Sequence, residues 1–326
     1  MLKPTPNVKN LLLIGLRYHG YTAAIIDEIT RQGYQVTYHE IQPRTLRFKA
    51  LKVLSESAWQ SRIDAHHRDI LERERGNRYD YVLFIQAHQF SVTNLGALRE
   101  QQRQARFVLY NWDAITTHDY RPYVAYFDRV YTFDPDDARE LNIGYLPLFC
   151  VREFQDLQRL DQHQRGIYFV GNIVSVQRYE ALVAFKRYCA EQGLTLRSHM
   201  ACTPRVYVRL LRAGHMASDV SLRSIAHPEF INIIERSTTV FDFANHRQSG
   251  YTMRLVENLC AGKKIITSNP RVRNEPFYTE DRFLVFKDLD FSAVRDFVAR
   301  DLDEPDRRFE QFHVQAFVRT LLEWSA

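Results

Sequence analysis

A chain of 326 residues with a formal net charge of +5, 45% hydrophobic and 25% charged, has the profile of a folded protein and is long enough for two domains. The charge is mild: it suits a partner carrying phosphates or an anionic lipid surface, and is too small to argue for nucleic acid. No apolar run reaches the roughly 18 residues that cross a bilayer, and the opening MLKPTPNVKN lacks the apolar segment of a signal peptide. The cysteines at 150, 189, 202 and 260 have no C-x-x-C spacing, so a cytoplasmic protein with buried free thiols is expected.

Strand and helix patterns alternate along the chain. NLLLIG (10–15) and YQVTYHE (34–40) are short apolar strands around an amphipathic helix near 21–32 that closes with Gly33. The charged stretch 47–75 reads as one or two surface helices, with His66 and His67 expected to face solvent. YVLFIQ (81–86), a helix near 92–104 and RFVLYN (106–111) repeat the unit, and RVYTF (129–133) and GYLPLF (144–149) bracket another helix. The polar FQDLQRLDQHQRG (154–166) is the best linker, and IYFVGN (167–172) restarts the pattern. Helices near 176–192 and 203–213, TTVFDF (238–243), a helix near 251–261, KKIITSN (263–269) and FLVF (283–286) follow. Residues 305–324 have the spacing of an amphipathic helix, with Phe309, Phe312, Phe317, Leu321 and Trp324 on its apolar face. The expected domains are therefore 1–153 and 154–304, with a terminal helix at 305–326; both should be α/β, with parallel sheets covered by helices.

Common nucleotide signatures are missing. GLRYHGYT (15–22) keeps the frame of a G-x-x-x-x-G-K-[ST] phosphate loop but puts Tyr21 where the phosphate-reaching lysine belongs. It reads as a tight strand-to-helix turn that presents Arg17, Tyr18 and His19. No G-x-G-x-x-G follows either first strand, and without it Glu40 is weak evidence for a ribose contact. The triplets DPD (134–136) and DLD (288–290 and 301–303) have the D-x-D form of a metal site. Asp134-Pro135 after a strand is equally a helix N-cap with proline at N1, and the DLD triplets sit in solvated sequence, so no metal is expected.

Candidate bases lie at predicted strand ends, where open α/β sheets bind ligands. His19 and His88 are each a general base or merely polar surface. Asp113, beside Trp112 after RFVLYN, is either a base whose neighbouring ring packs on a sugar or the cap of a following helix.

The densest signal is QSGYTMRLVENLCAGKKIITSN (248–269). Gly250 stands where a loop enters a helix, so N–H groups there could approach a phosphate. Arg254 and Glu257 share one helix face, and Lys263 and Lys264 follow the closing Gly262. An arginine, lysines and a helix start can hold a diphosphate, and a carboxylate one turn along can accept ribose hydroxyls. The alternative is an amphipathic helix with an internal Arg–Glu pair and a glycine cap.

This segment resembles the donor-binding helix of GT-B glycosyltransferases, and more closely that of bacterial lipopolysaccharide and capsular polysaccharide transferases. In those enzymes Q-S-G-x-T-x-R-x-x-E-x-x-x-A-G-K-K-x-I-T-x-N recurs. LLLIGLRYHGYTAAIIDEITRQGYQV, LYNWDAI, FDRVYTFDPDDARELNIGYLPLF and YFVGNIVSVQRYEAL are similar to further blocks of the family, in order from residue 11 to 269.

The resemblance implies a GT-B architecture: two Rossmann-like domains facing across a cleft, with a C-terminal helix returning to the first. A UDP- or other NDP-sugar donor would sit on the second domain. The acceptor, a hydroxyl of a cell-surface glycan or its lipid-linked precursor, would sit on the first, near Arg17, Tyr18 and Trp112. Glu257 would bind the ribose, Arg254 and Lys263 or Lys264 would lie near the diphosphate, and Gly171 and Arg178 would serve the phosphates or sugar. Ser249, Gly250 and Thr252 belong to the same donor motif. No cofactor beyond the nucleotide-sugar, and no metal, is implied.

Ser249 stands where many retaining members carry a glutamate, eight residues before the ribose-binding one. Stereochemistry therefore stays open, and a non-catalytic sugar-nucleotide-binding subunit is the alternative. RVYVRLLRAGHMASDVSLR (205–223) reads first as a core helix with a solvated face, and second as a contact for lipid headgroups at the inner face of the plasma membrane.

Overall fold

The computed structural model describes residues 8–18, 20–43, 45, 48, 54–157, 165–243, 249–304 and 307–323. The chain divides into two units. Met1–Val151, His246–Gly250 and Val314–Ala326 form the first, and Arg152–Asn245 with Tyr251–His313 form the second.

In the first unit, β1 (Lys9–Gly15), α1 (Tyr21–Arg31), β2 (Tyr34–Glu40), α2 (Glu56–Glu74), β3 (Tyr81–Ile85) and α3 (Val92–Gln101) follow in order. After them come β4 (Arg106–Asn111), a 3-10 turn (Arg121–Tyr126), β5 (Arg129–Thr132), α4 (Pro135–Leu141) and β6 (Gly144–Tyr145). The strands run parallel in the order β2-β1-β3-β4-β5-β6. Residues 11–14, 82–84 and 107–110 are wholly inaccessible. Burial on both sheet faces is why these strands are continuous apolar runs and do not alternate. The strand order reverses between β1 and β3, which approach so closely that a Cβ on Gly15 would lie 3.1 Å from Ile85. In open α/β sheets the carboxyl edge at such a reversal is where ligands commonly bind.

The second unit contains α5 (Arg152–Gln155), β7 (Ile167–Asn172), α6 (Val176–Glu191), β8 (Leu196–Ala201), α7 (Pro204–Arg212), β9 (Val220–Ser221) and α8 (His227–Glu235). It continues through β10 (Thr239–Asp242), α9 (Met253–Cys260), β11 (Lys264–Thr267), β12 (Phe283–Val285) and α10 (Val294–Ala299). Its parallel order is β12-β11-β10-β7-β8-β9, so the reversal falls between β7 and β10. The core under this sheet centres on Phe241, stacked on Phe185 at 3.9 Å and on Phe286 at 5.3 Å.

The last helix, α11 (Val314–Leu322), belongs to the first unit and lies along α1. Val314, Phe317, Val318, Leu321 and Leu322 recur at helical spacing and are buried. The Phe317 ring sits 4.7 Å from Tyr110 and 4.4 Å from Phe149. Side chains satisfy carbonyls at the helix end: the Tyr81 hydroxyl donates to Leu322 O at 3.2 Å, and Arg129 to Glu323 O at 2.8 Å. The helix is shorter than the spacing over 305–324 suggests. Phe309 and Phe312 pack instead around Phe277 in the second unit, at 6.3 and 5.4 Å, and His313 is extended. Trp324, and residues 158–164 of the linker stretch, lie outside the described residues.

His67 is a correction to the sequence reading. It shares one face of α2 with Ile63, Ile70 and Leu71, is fully buried, and stacks on Phe90 at 4.1 Å. Its Nε2–H donates to Ile41 O at 2.8 Å, and neighbouring His66 reaches Glu40 O at 2.8 Å. Burial pushes the His67 pKa down to about 4. The fold therefore holds the neutral ring, while the unfolded chain takes up a proton below its ordinary value near 6.5. Stability is lost as pH falls from about 6.5 towards 4, roughly 2 kcal/mol of it by about pH 5. Urea unfolding at pH 7 and pH 5 checks this: the wild type should lose that amount, and His67→Gln markedly less.

Candidate functional site

At the reversal point of the second sheet, α9 begins because the extended Thr252 accepts the Leu255 N–H on Oγ1 at 3.1 Å. The same hydroxyl donates to Asp242, at the end of β10, over 2.7 Å. Asp242 is fully buried and also accepts from Thr267 Oγ1 at 3.1 Å and Arg254 Nη1 at 3.3 Å. Arg254 folds back over the end of β7. Its Nη2 and Nε donate to Val170 O at 2.9 and 3.3 Å, and its guanidinium covers the Phe169 ring at 4.6 Å. Only glycine permits this at 171, where a Cβ would lie 2.2 Å from Arg254 Nη2.

A second guanidinium stands over the same ring. Arg178 lies 5.8 Å from Phe169, at the start of α6, where Ser175 accepts its backbone N–H at 3.2 Å. Its Nε is buried with no hydrogen-bond partner, and it forms no ion pair among the described residues. Burial, and then the positive charge of Arg254, lower its pKa to about 10. Like charges crowded at a strand end, with a buried N–H unmet, are a strain that a bound anion relieves. Glu257 lies one turn along α9, almost fully buried, and its charge is felt by the buried Tyr168 hydroxyl.

Four residues expected in the donor motif are placed differently. Lys263 precedes β11 and Lys264 opens it, at the amino edge of the sheet, a full helix length from Arg254. The Lys264 ammonium donates to Phe297 O, and to Arg300 O at 2.6 Å, capping the end of α10. Burial lowers its pKa to about 8. Ser249 and Gly250 belong to the first unit. Their N–H groups donate to the Asp134 carboxylate at 2.6 and 3.3 Å, and the Ser249 hydroxyl bonds it too. A Cβ on Gly250 would meet Phe133 at 2.6 Å, so this glycine serves close chain approach. The N–H groups expected to meet a phosphate thus hold a carboxylate. Asp134 is also the N-cap of α4, accepting from Asp136 N and Asp137 N at 3.0 and 3.2 Å, with Pro135 at N1. Burial opposes its charge, but the bonds from Ser249, Asp137 and Gly250 prevail and hold its pKa below the usual carboxylate value.

In the first unit, Asp113 follows β4 and caps no helix; the next helical turn, from Arg121, starts at Tyr120. Its described partner is Gln86, whose side-chain amide donates to the carboxylate. Gln86 directly follows β3 in a left-handed conformation, φ 62°, and is buried. A residue other than glycine in that region carries a strain of order 1–3 kcal/mol, often found beside functional groups. His88 stacks face to face on His118 at 3.8 Å. Tyr18 is exposed, 5.8 Å from Trp112 and 6.0 Å from Tyr21, and its N–H donates to Thr22 Oγ1 at 3.0 Å. Arg17 is exposed, 3.7 Å from Glu40. His19 lies outside the described residues. Sequence reading missed Gln86, His118 and Asp242. The lone acid closing the apolar TTVFDF was a usable signal for Asp242, whereas nothing in the sequence marks His118.

Neither protein-family models nor curated proteins match this sequence. Solved structures do match its fold. An α-glucosyltransferase in complex with UDP and a 13-mer DNA aligns with a TM-score of 0.62 at 10% identity, over 96% of this chain and 95% of that one. The catalytic domain of starch synthase IV from Arabidopsis thaliana, bound to ADP and acarbose, aligns at 0.58 and 9% identity over 98% and 96%. UDP-GlcNAc 2-epimerase from Neisseria meningitidis, bound to UDP-GlcNAc, aligns at 0.55 and 9% over 97% and 98%. The chain has the GT-B fold, with two Rossmann-like units and a final helix on the first.

Proposed function

We propose that the chain is a glycosyltransferase that moves a sugar from a nucleotide-sugar donor, held on the second unit, to a hydroxyl of a cell-surface glycan or its lipid-linked precursor. The reading is carried by the two guanidiniums on Phe169 beside Gly171, one with a buried Nε unmet, at the reversal point of the sheet. Breaking the C1–O bond through an oxocarbenium-like transition state builds negative charge on the leaving phosphate, and fixed cations there lower the barrier. Arg178 and Arg254 supply that charge, Glu257 accepts the ribose hydroxyls, and Asp113 takes the acceptor proton. With two arginines on the phosphates the transfer needs no metal, so activity should survive EDTA.

Titration calorimetry with UDP, ADP and their glucose esters tests the donor half. Nucleoside diphosphates should bind, and the parent nucleosides far more weakly; absence of heat with every diphosphate overturns the reading. The engagement of Ser249 with Asp134, at the position of a glutamate in retaining relatives, favours a second reading as a non-catalytic nucleotide-sugar binder. Slow donor hydrolysis without acceptor separates the two, since a pure binder shows none.

A further inference from the structure

We infer that α7 and the segment after it form a docking face for an anionic phospholipid surface. A helix of an α/β unit normally buries an apolar stripe, yet in α7 only Leu210 is fully buried. Val206 and Tyr207 are half-covered by the core, while Val208 and Leu211 are 44% and 48% exposed. Arg205, Arg209 and Arg212 recur at helical spacing on the side away from Leu210, and with Pro204 and Val208 they line one shallow groove. None of the three has a hydrogen-bond or ion-pair partner among the described residues. The chain beyond stays open: Met216 is 83% and Leu222 56% exposed, and Arg223 is exposed too. Asp219, the one acidic residue between 203 and 226, is taken by Lys186 at 3.1 Å.

Unpaired arginines beside exposed aliphatic side chains match a surface whose outer layer is anionic and whose next layer is apolar. Nucleic acid would reward the arginines but leave Val208 and Leu211 in water. A second copy in two-fold contact would set arginine against arginine. The inference goes beyond the proposed transfer reaction and does not depend on which donor is used.

Vesicle co-sedimentation of the full chain tests it. The protein should bind phosphatidylcholine vesicles containing about 30% phosphatidylglycerol, not pure phosphatidylcholine, and binding should weaken with salt. Each arginine in the interface contributes about a fivefold factor, so Arg205→Glu, Arg209→Glu and Arg212→Glu together should lower partitioning on the order of a hundredfold or more. Val208→Ser with Leu211→Ser should leave weaker, more salt-sensitive binding. Circular dichroism checks the fold of each variant, and singly substituted Arg209→Gln, expected to lose about fivefold, serves if the triple variant misfolds. No binding to anionic vesicles overturns the inference. So does arginine-dependent binding to a duplex DNA fragment without vesicle binding, or self-association that Val208→Ser and Leu211→Ser abolish.

Discussion

Asp113→Asn should lower kcat by about 10²–10⁴-fold while nucleotide affinity stays unchanged. The substitution keeps the shape of the side chain and removes only its capacity to take a proton. The residues proposed to hold the nucleotide belong to the other unit, so Kd has no reason to move. The companion variant is Gln86→Gly. It deletes the amide that aims the carboxylate and frees the left-handed backbone at φ 62° of its side-chain penalty, roughly 1 kcal/mol. Melting temperature should hold or rise as kcat falls, a combination that a purely structural glutamine does not give. Near-normal kcat in both variants would remove Asp113 as the base and make His88, stacked on His118, the next candidate.

The two arginines on Phe169 should respond oppositely in stability and alike in binding. Arg178→Met removes a cation that has an unmet Nε and a like charge beside it, so the melting temperature should be unchanged or higher. Nucleoside diphosphate affinity should fall about tenfold to a hundredfold, the worth of one lost charge-assisted hydrogen bond. Arg254→Ala should weaken nucleotide binding to a similar degree, but at a cost of roughly 3–5 kcal/mol in stability, because it strands the fully buried Asp242 without its ion pair. Calorimetry and thermal melts on the same preparations check both. If Arg178→Met melts lower and binds normally, Arg178 is a structural cation and the donor site is misplaced.

Most of the fold was legible because parallel strands buried on both faces leave unbroken apolar runs such as LLLI and VLF. The helices between them carry caps that sequence reveals, Asp134-Pro135 among them. Arg254, Thr252 and Gly171 were legible as one constellation through spacing and resemblance: Arg254 lies against Gly171 at the end of β7, and it shares Asp242, at the end of β10, with Thr252. What spacing could not supply was direction. Lys263 and Lys264 sit only nine and ten residues from Arg254 in sequence, yet the helix between them carries the chain from one edge of the sheet to the other. Ser249 and Gly250 are even nearer in sequence, but their N–H groups were already claimed by a carboxylate 115 residues away. The 305–324 periodicity failed for a related reason: its rings serve two different cores, and one helix cannot face both.

The membership of α11 in the first unit also sets an order on biosynthesis. Phe317 fills space against Tyr110 and Phe149, and Leu322 O takes the Tyr81 hydroxyl across 241 residues of sequence. A ribosome that has released residue 151 has therefore made every strand of the first sheet without the helix that seals one side of it. The nascent first unit must wait, with Tyr110 and Phe149 uncovered, while the whole second unit is translated. Contacts of such long separation form late and slowly, so the period between the two is when the chain is most exposed to aggregation and to chaperones. A fragment ending at residue 151 should behave in the same way: rich in secondary structure, sticky, and rescued by a synthetic peptide spanning 314–323.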